Sequence, residues 1–199
     1  MYRAATLHFL NEKVDLNNAQ EVAKQLKKIH IAFKKSAQTG RQETYLNGEN
    51  VEEAIRSMEV SNFVSEVSKI KAVREDLVSR QQHLGKAKGV VMDGRDIGTV
   101  VFPEAELKIF MTADLEIRAK RRQKELQDNG KEVTLEEIIR NLSDRDKIDS
   151  TRAESPLVRA SDAVEVDTSF LSFEDQVDQI VDLANDRIGH YTKAYGSNH

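Results

Sequence analysis

The chain of 199 residues has no cysteine. That excludes disulfides and thiolate zinc sites, and leaves the redox compartment open. Prolines are limited to Pro103 and Pro156, and neither internal repeats nor low-complexity runs occur. Five histidines (His8, His30, His83, His190, His199) are scattered without metal-ligand spacing. No apolar stretch is long enough to span a bilayer. The amino terminus has no basic segment, apolar block and small-residue cleavage site in series. The expectation is a cytoplasmic protein with no membrane partner. A net charge of -4 argues against general affinity for nucleic acid. What is present, 32% charged and 39% hydrophobic residues, suits a soluble globular protein of one large domain, or one domain with an insertion.

The most informative stretch is Gly89 to Asp114, GVVMDGRDIGTVVFPEAELKIFMTAD. Two short apolar runs, Val90–Met92 and Leu107–Met111, bracket a polar turn of Asp93, Gly94, Arg95 and Asp96. Short apolar runs bounded by Gly and Pro read as buried strands, and ligands gather at the carboxyl ends of parallel strands.

Around this stretch the pattern is mixed. Met1–Leu10 is helix-compatible. Asn17 or Asn18 can cap a helix through about Lys28, with Val22, Leu26 and Ile29 on one face. Ile29–Lys35 and Glu43–Asn47 read as short strands, with Gly40 and Asn47-Gly48 supplying turns, so a small antiparallel unit is expected. Val51 to His83 reads as strongly helical, ended by Gly85 and Gly89. A helix capped by Asp114 runs to Asn129-Gly130, and Thr134 with Glu137 forms a capping box for the next. Ala163–Val166 is a third strand, and Ser172 with Asp175 starts an amphipathic helix. Strands alternating with helices late in the chain indicate an α/β fold.

Three groups of residues suggest chemistry. Asp93, directly after an apolar run, can hold Mg²⁺ or its waters in a phosphoryl-transfer site; the bland alternative is a β-turn satisfying its own backbone. Arg118, Arg121 and Arg122 share one helix, and Arg140, Arg145, Arg152 and Arg159 follow. Forked guanidiniums suit phosphoryl groups, yet interspersed acids also describe an ordinary solvated face. Ser65, Arg74 and Asp96 could read cytosine, the carboxylate accepting from the exocyclic amine and the others donating to N3 and O2. Otherwise Ser65 and Arg74 are plain exposed helix residues.

Taken together, these residues resemble the bacterial cytidylate kinases, nucleoside-monophosphate kinases that phosphorylate CMP and dCMP with ATP and Mg²⁺. Four segments carry the resemblance in order: Met1-Tyr2-Arg3-Ala4, IRSMEVSNFVSEVSKIKAVR ending at Arg74, GRDIGTVVFPEAELKIFMTA and DRDKIDSTRAESPL. The resemblance implies a P-loop-kinase-like parallel sheet with helices on both faces, a small antiparallel insertion and a lid. Residues 1–28 and 84–199 would form the core, with the lid near 118–150, and 29–83 the monophosphate-binding insertion. Ser65, Arg74 and Asp96 would read the cytosine. Gly94, Arg95 and Arg3 would lie by the monophosphate, Arg145 and Asp149 by the sugar hydroxyls, and Arg152 by the phosphates. Arg118, Arg121, Arg122 and Arg145 would act on the transferring phosphoryl, and Asp93 on Mg²⁺ through water, with no direct protein ligand. The partners implied are small nucleotides, not nucleic acid, and the complete protein is expected to be a monomer.

One departure is large. These 199 residues contain no G-x-x-x-x-G-K-[ST] phosphate loop; Gly85-Lys86 continues with Ala87. No residue is therefore assigned to the ATP phosphates. The expectation is a chain lacking the family's first strands, poor as a kinase and marginally folded, with apolar strand edges exposed. Other readings are a non-catalytic pyrimidine-nucleotide binding remnant, a kinase acting on UMP, and an RNA-binding module on the arginine helix. Acidic charge and the lack of interleaved aromatics weigh against the last.

Overall fold

The computed structural model describes residues 1–195; His199 lies outside them. Two compact units divide the chain: Met1–Val91 with Lys147–Pro156, and Met92–Asp146 with Leu157 onward. The elements show an α/β protein with one small antiparallel sheet and one parallel pair.

In the first unit, α1 (Tyr2–Asn11) contributes Ala4, Ala5 and Phe9 to the core. Asn18 caps α2 (Ala19–Leu26) by accepting from the Glu21 amide at 3.2 Å. Val22, Leu26 and Ile29 are all buried, as their spacing predicts. Strands β1 (Ile31–Lys35), β2 (Gln42–Leu46) and β3 (Glu49–Asn50) form an antiparallel meander. Its second turn is Asn47-Gly48, both residues at positive φ (52° and 93°). That is the backbone which Asn-Gly adopts with least strain in a two-residue hairpin. The Asn47 side chain also accepts from the His30 amide at 2.7 Å.

The expected continuous helix from Val51 to His83 is corrected into three pieces. A 3₁₀ turn spans Ala54–Arg56, followed by α3 (Met58–Lys69) and α4 (Lys71–Gly85). Ser57 caps α3 through the Val60 amide at 3.2 Å. Ile70 has extended backbone (φ -73°, ψ 116°) and separates α3 from α4. Neither Gly nor Pro marks this break. Ile70 packs on the core together with Val67, Val73 and Leu77, so the apolar period runs on through the bend.

In the second unit, β4 (Ile109–Thr112) and β5 (Val164–Asp167) pair in parallel, with α5 (Leu115–Asp128) and α6 (Leu135–Thr151) between them in sequence. Both strands lie one or two residues beyond their expected spans. A Schellman motif closes α5: Lys131 donates to the Leu126 carbonyl and Gly130 to that of Gln127, both at 2.9 Å, with Gly130 at φ 71°. The Thr134–Glu137 box starts α6 reciprocally, at 3.2 and 3.3 Å. Ser172 and Asp175 do the same for α7 (Phe173–Tyr195), at 3.3 and 3.1 Å. No helix among the described residues is long and apolar enough to cross a membrane.

Two further expectations are corrected. Val90–Met92 is not a strand: no ladder partner takes it up among the described residues, and Val91 is fully exposed. Apolar composition permits a strand, but only a neighbour supplies the hydrogen bonds that make one. Asp114 does precede α5, yet its carboxylate makes no cap. Its amide donates to Ser169 Oγ at 2.9 Å instead.

Glu52 secures the meander. Its carboxylate accepts from the Thr44 amide at 2.9 Å and from Arg56 at 2.6 Å. Burial pushes its pKa up, but the bonds from Arg56 and Thr44 together outweigh this and hold it below the ordinary value. The sign follows: the stabilisation is complete above the ordinary glutamate range and is lost as pH falls through the depressed value. Glu52→Gln is expected to lower Tm at pH 7 by about 2–4 °C. The gap to the parent should close as pH drops below that range. Thermal melts from pH 7 to pH 3 check it; a constant gap would contradict the assignment.

Candidate functional site

In the first unit, α1, α3, α4 and the end of α6 bring polar side chains to one buried place. Ser61, Ser65 and Ser68 stand at i, i+4 and i+7 on α3, the spacing of one helix face, and all three are buried. From α1, Arg3 Nη1 donates to Ser61 Oγ at 3.0 Å and to the Ile55 carbonyl at 2.8 Å. Arg74, in the first turn of α4 and only 4% exposed, donates through Nη1 to the Ser68 carbonyl at 3.2 Å. Its guanidinium lies over the Tyr2 ring, 5.5 Å from the centroid. Arg152 Nη1 donates to Ser68 Oγ at 3.3 Å and to Asp149 Oδ1 at 3.4 Å, while Nε reaches the Ser155 carbonyl at 2.9 Å. Arg152 and Asp149 are both buried. Arg3, Ser65, Arg74, Asp149 and Arg152 are thus gathered within one unit. Ser65 and Arg74 are not exposed helix residues. Tyr2, Ser61 and Ser68 belong to the cluster although none is among the site residues expected from the sequence. The serine spacing was the available signal.

In the second unit, Asp93, Gly94 and Arg95 form an exposed turn, and Asp96 is buried. Asp96 opens a single π-helical turn, Ile97–Val101. Its carbonyl accepts from the amides of Val100 at 2.9 Å and Val101 at 3.2 Å, and Phe102 donates to the Ile97 carbonyl at 2.7 Å. Such turns recur at functional sites, where they re-aim the residues beside them. A Cβ at Gly94 would sit 2.8 Å from Ile97 Cγ1, so any other residue there would displace the Ile97 side chain.

The arginines of α5 have divergent surroundings. Arg118 pairs with Asp146 at 2.7 Å and donates Nε to the Ala113 carbonyl at 3.0 Å. Arg122 pairs with Glu125 at 2.7 Å. Arg121 reaches the carboxyl end of β5, where Nη2 donates to the carbonyls of Thr168 at 2.6 Å and Leu171 at 3.1 Å. Arg145 is half-buried on α6. At the same strand end, Asp167 accepts from the Ser169 hydroxyl at 2.7 Å and amide at 2.9 Å. The Ser169 hydroxyl, then its amide, hold the Asp167 pKa below the ordinary value. Among the described residues, no group of three or more His, Asp or Glu side chains is placed to hold a metal.

Fold and cluster define an α/β protein that buries two guanidiniums beside a carboxylate and a row of serines. The sequence comparisons agree with that class and narrow it. Residues 1–186 match the family model described as cytidylate kinase, and the chain belongs to that family of nucleotide-binding phosphotransferases. It is 52% identical over 184 residues to a cytidylate kinase of Cytophaga hutchinsonii, covering 92% of this chain and 79% of that protein. A cytidylate kinase of Flavobacterium johnsoniae is 50% identical over 189 residues, 94% of this chain and 82% of the relative. One from Bacteroides fragilis is 52% identical over 179 residues, 88% and 78% respectively.

Replacing Arg121 tests its structural commitment. Arg121→Ala removes the charged donor from the Thr168 and Leu171 carbonyls, leaving them only the long bonds from the Leu171 amide (3.4 Å) and Gln176 Nε2 (3.3 Å), and is expected to cost about 1.5–3 kcal/mol. Arg121→Lys should recover less than half, since the shorter side chain carries a more strongly hydrated ammonium that is costlier to bring to these carbonyls. Urea denaturation followed by far-UV circular dichroism measures both. Full recovery by lysine would show that charge alone matters there.

Proposed function

We propose that this protein phosphorylates CMP and dCMP to the diphosphate with ATP as donor, and that the 199-residue polypeptide alone turns over poorly. The observation carrying this reading is the buried cluster of the first unit. Of its named side chains, Arg3, Arg74 and Arg152 are cationic and Asp149 alone is anionic. Guanidiniums that protein acceptors already orient suit the anionic oxygens of a nucleoside monophosphate. Ser65, Arg74 and Asp96 would read the cytosine, with Asp96 accepting from the amino group that uracil lacks. Arg152, Arg95 and Arg3 would hold the monophosphate beside Gly94. Arg145 and Asp149 would meet the sugar hydroxyls.

Phosphoryl transfer needs positioning and neutralised charge on the equatorial oxygens. Arg118, Arg122 and Arg145 are the proposed suppliers. Arg121 is retained only as a weaker candidate, because its guanidinium already serves two carbonyls. Mg²⁺ keeps most of its ligands as water and substrate phosphate, so Asp93 acting through water fits it. The residues present do not fit the ATP phosphates, for want of an amide nest with its lysine, and no step is derived through that group. A second reading, for these 199 residues by themselves, is binding of pyrimidine monophosphates without turnover. A monomer acting on small nucleotides in the cytoplasm accords with both.

Calorimetric titration separates the possibilities. CMP is expected to bind at least tenfold tighter than UMP, and Asp96→Asn to cut that ratio below threefold. Retention of the full CMP preference by Asp96→Asn would remove its assigned role. In a coupled assay with ATP and Mg²⁺, turnover is expected about 100-fold or more below that of the Cytophaga hutchinsonii relative. Parity between the two would refute the impairment, and CMP binding with no turnover at all would favour the second reading.

A further inference from the structure

Ser68 occupies an unusual position in the buried cluster of the first unit. It lies in the last turn of α3, whose final carbonyls have no helical partner because the chain turns extended at Ile70. One of those orphaned carbonyls, that of Ser68, is taken by Arg74 Nη1 at 3.2 Å. Its hydroxyl donates to the Ser65 carbonyl at 2.8 Å. With its proton so committed, the oxygen presents lone pairs and accepts from Arg152 Nη1 at 3.3 Å. A single residue therefore touches both arginines, Arg74 with its backbone and Arg152 with its side chain. Alanine at this position would keep the first contact and delete the second.

We propose that Ser68 is a positioning residue that sets the Arg152 guanidinium for the phosphate-bearing part of the ligand, without contributing to base selection. This rests on the acceptor-site reading above. The Ser155 carbonyl takes Arg152 Nε at 2.9 Å, while Asp149 accepts from Nη1 at 3.4 Å, the long end of the hydrogen-bond range. The Ser68 oxygen supplies a second acceptor on Nη1, so the setting of that nitrogen does not depend on the long Asp149 contact alone. An arginine fork loses little entropy on binding only when it is already oriented. Loss of the hydroxyl should therefore weaken phosphate-dependent affinity, while the Arg74 contact, made to a carbonyl, survives.

A double-mutant cycle on the full chain tests this, reading CMP and UMP affinity by calorimetry. Ser68→Ala is expected to weaken CMP binding about fivefold to tenfold, with the CMP-to-UMP ratio unchanged within twofold. In an Arg152→Ala background the same change should cost less than twofold, because the residue acts through Arg152. Ser68→Thr, which keeps a hydroxyl, should bind CMP more tightly than Ser68→Ala. Melting curves of each variant identify any loss of fold. Equal cost in both backgrounds would overturn the proposal, as would collapse of the CMP-to-UMP ratio in Ser68→Ala. Failure of the parent chain to bind CMP would instead sink the acceptor-site reading beneath it.

Discussion

A guanidinium cannot shed its charge at any ordinary pH, so every arginine drawn out of water must be met by acceptors. In this protein the acceptors are repeatedly the carbonyls left over where an element stops. Arg80 donates to Ile29 and Leu26 just past α2, at 2.7 and 3.2 Å. Arg74 donates to Ser68 at the close of α3, and Arg118 to Ala113 after β4. Arg121 serves the end of β5, and Arg159 the Ala163 carbonyl at its start. Helix and strand ends supply carbonyls that the regular ladder leaves unfilled or weakly filled, and long forked side chains reach them. Both sides of each contact are thereby satisfied, so the arginines secure the ends of the fold before any ligand is considered.

That double use explains why a run of arginines is a poor guide to function when read as letters. Arg118, Arg121 and Arg122 look equivalent along α5. Folding gives one a carboxylate and a carbonyl, one the carboxyl end of a strand, and one a neighbouring glutamate on its own helix. Only the Arg122 pair is local; nothing in the spacing distinguishes Arg118 from Arg121, because Asp146 and Thr168 lie tens of residues away. The capping boxes at Thr134 and Ser172, the Asn18 cap and the Asn47-Gly48 hairpin were legible for the opposite reason. Each is decided within three or four residues by side-chain-to-backbone bonds. The bend at Ile70 was not legible, since an isoleucine that packs on the core looks the same in a helix and at its break. Val90–Met92 was misread because strand formation there requires a pairing neighbour, which composition does not encode.

The candidate site divides along the same line. Ser65, Arg74, Asp149 and Arg152 emerged from their likeness to a family's segments, and their common burial in one unit is what the structure adds. Ser68 escaped notice for a physical reason. Its part is played by a carbonyl and by a hydroxyl turned toward an arginine 84 positions later. Only the carbonyl contact arises from the helix break, and that break is itself invisible in the sequence. A helix face of Ser61, Ser65 and Ser68 was a readable hint, but small polar residues at helical spacing more often mark close packing than a site.

The bend at Ile70 therefore links stability to recognition. A helix running unbroken to Gly85 would engage the Ser68 carbonyl with an amide four residues on, leaving Arg74 to find another acceptor. Breaking α3 there costs helical hydrogen bonds, and the guanidinium returns part of that cost by taking the exposed carbonyl. The arrangement holds Arg74 and Arg152 buried beside Asp149. On the proposed reading, an anionic ligand binds guanidiniums that the protein has already oriented. Any molecule that binds the folded form and not the unfolded one stabilises the fold by mass action. Occupancy of the acceptor site and integrity of the first unit are then two expressions of one free energy, set at the end of α3.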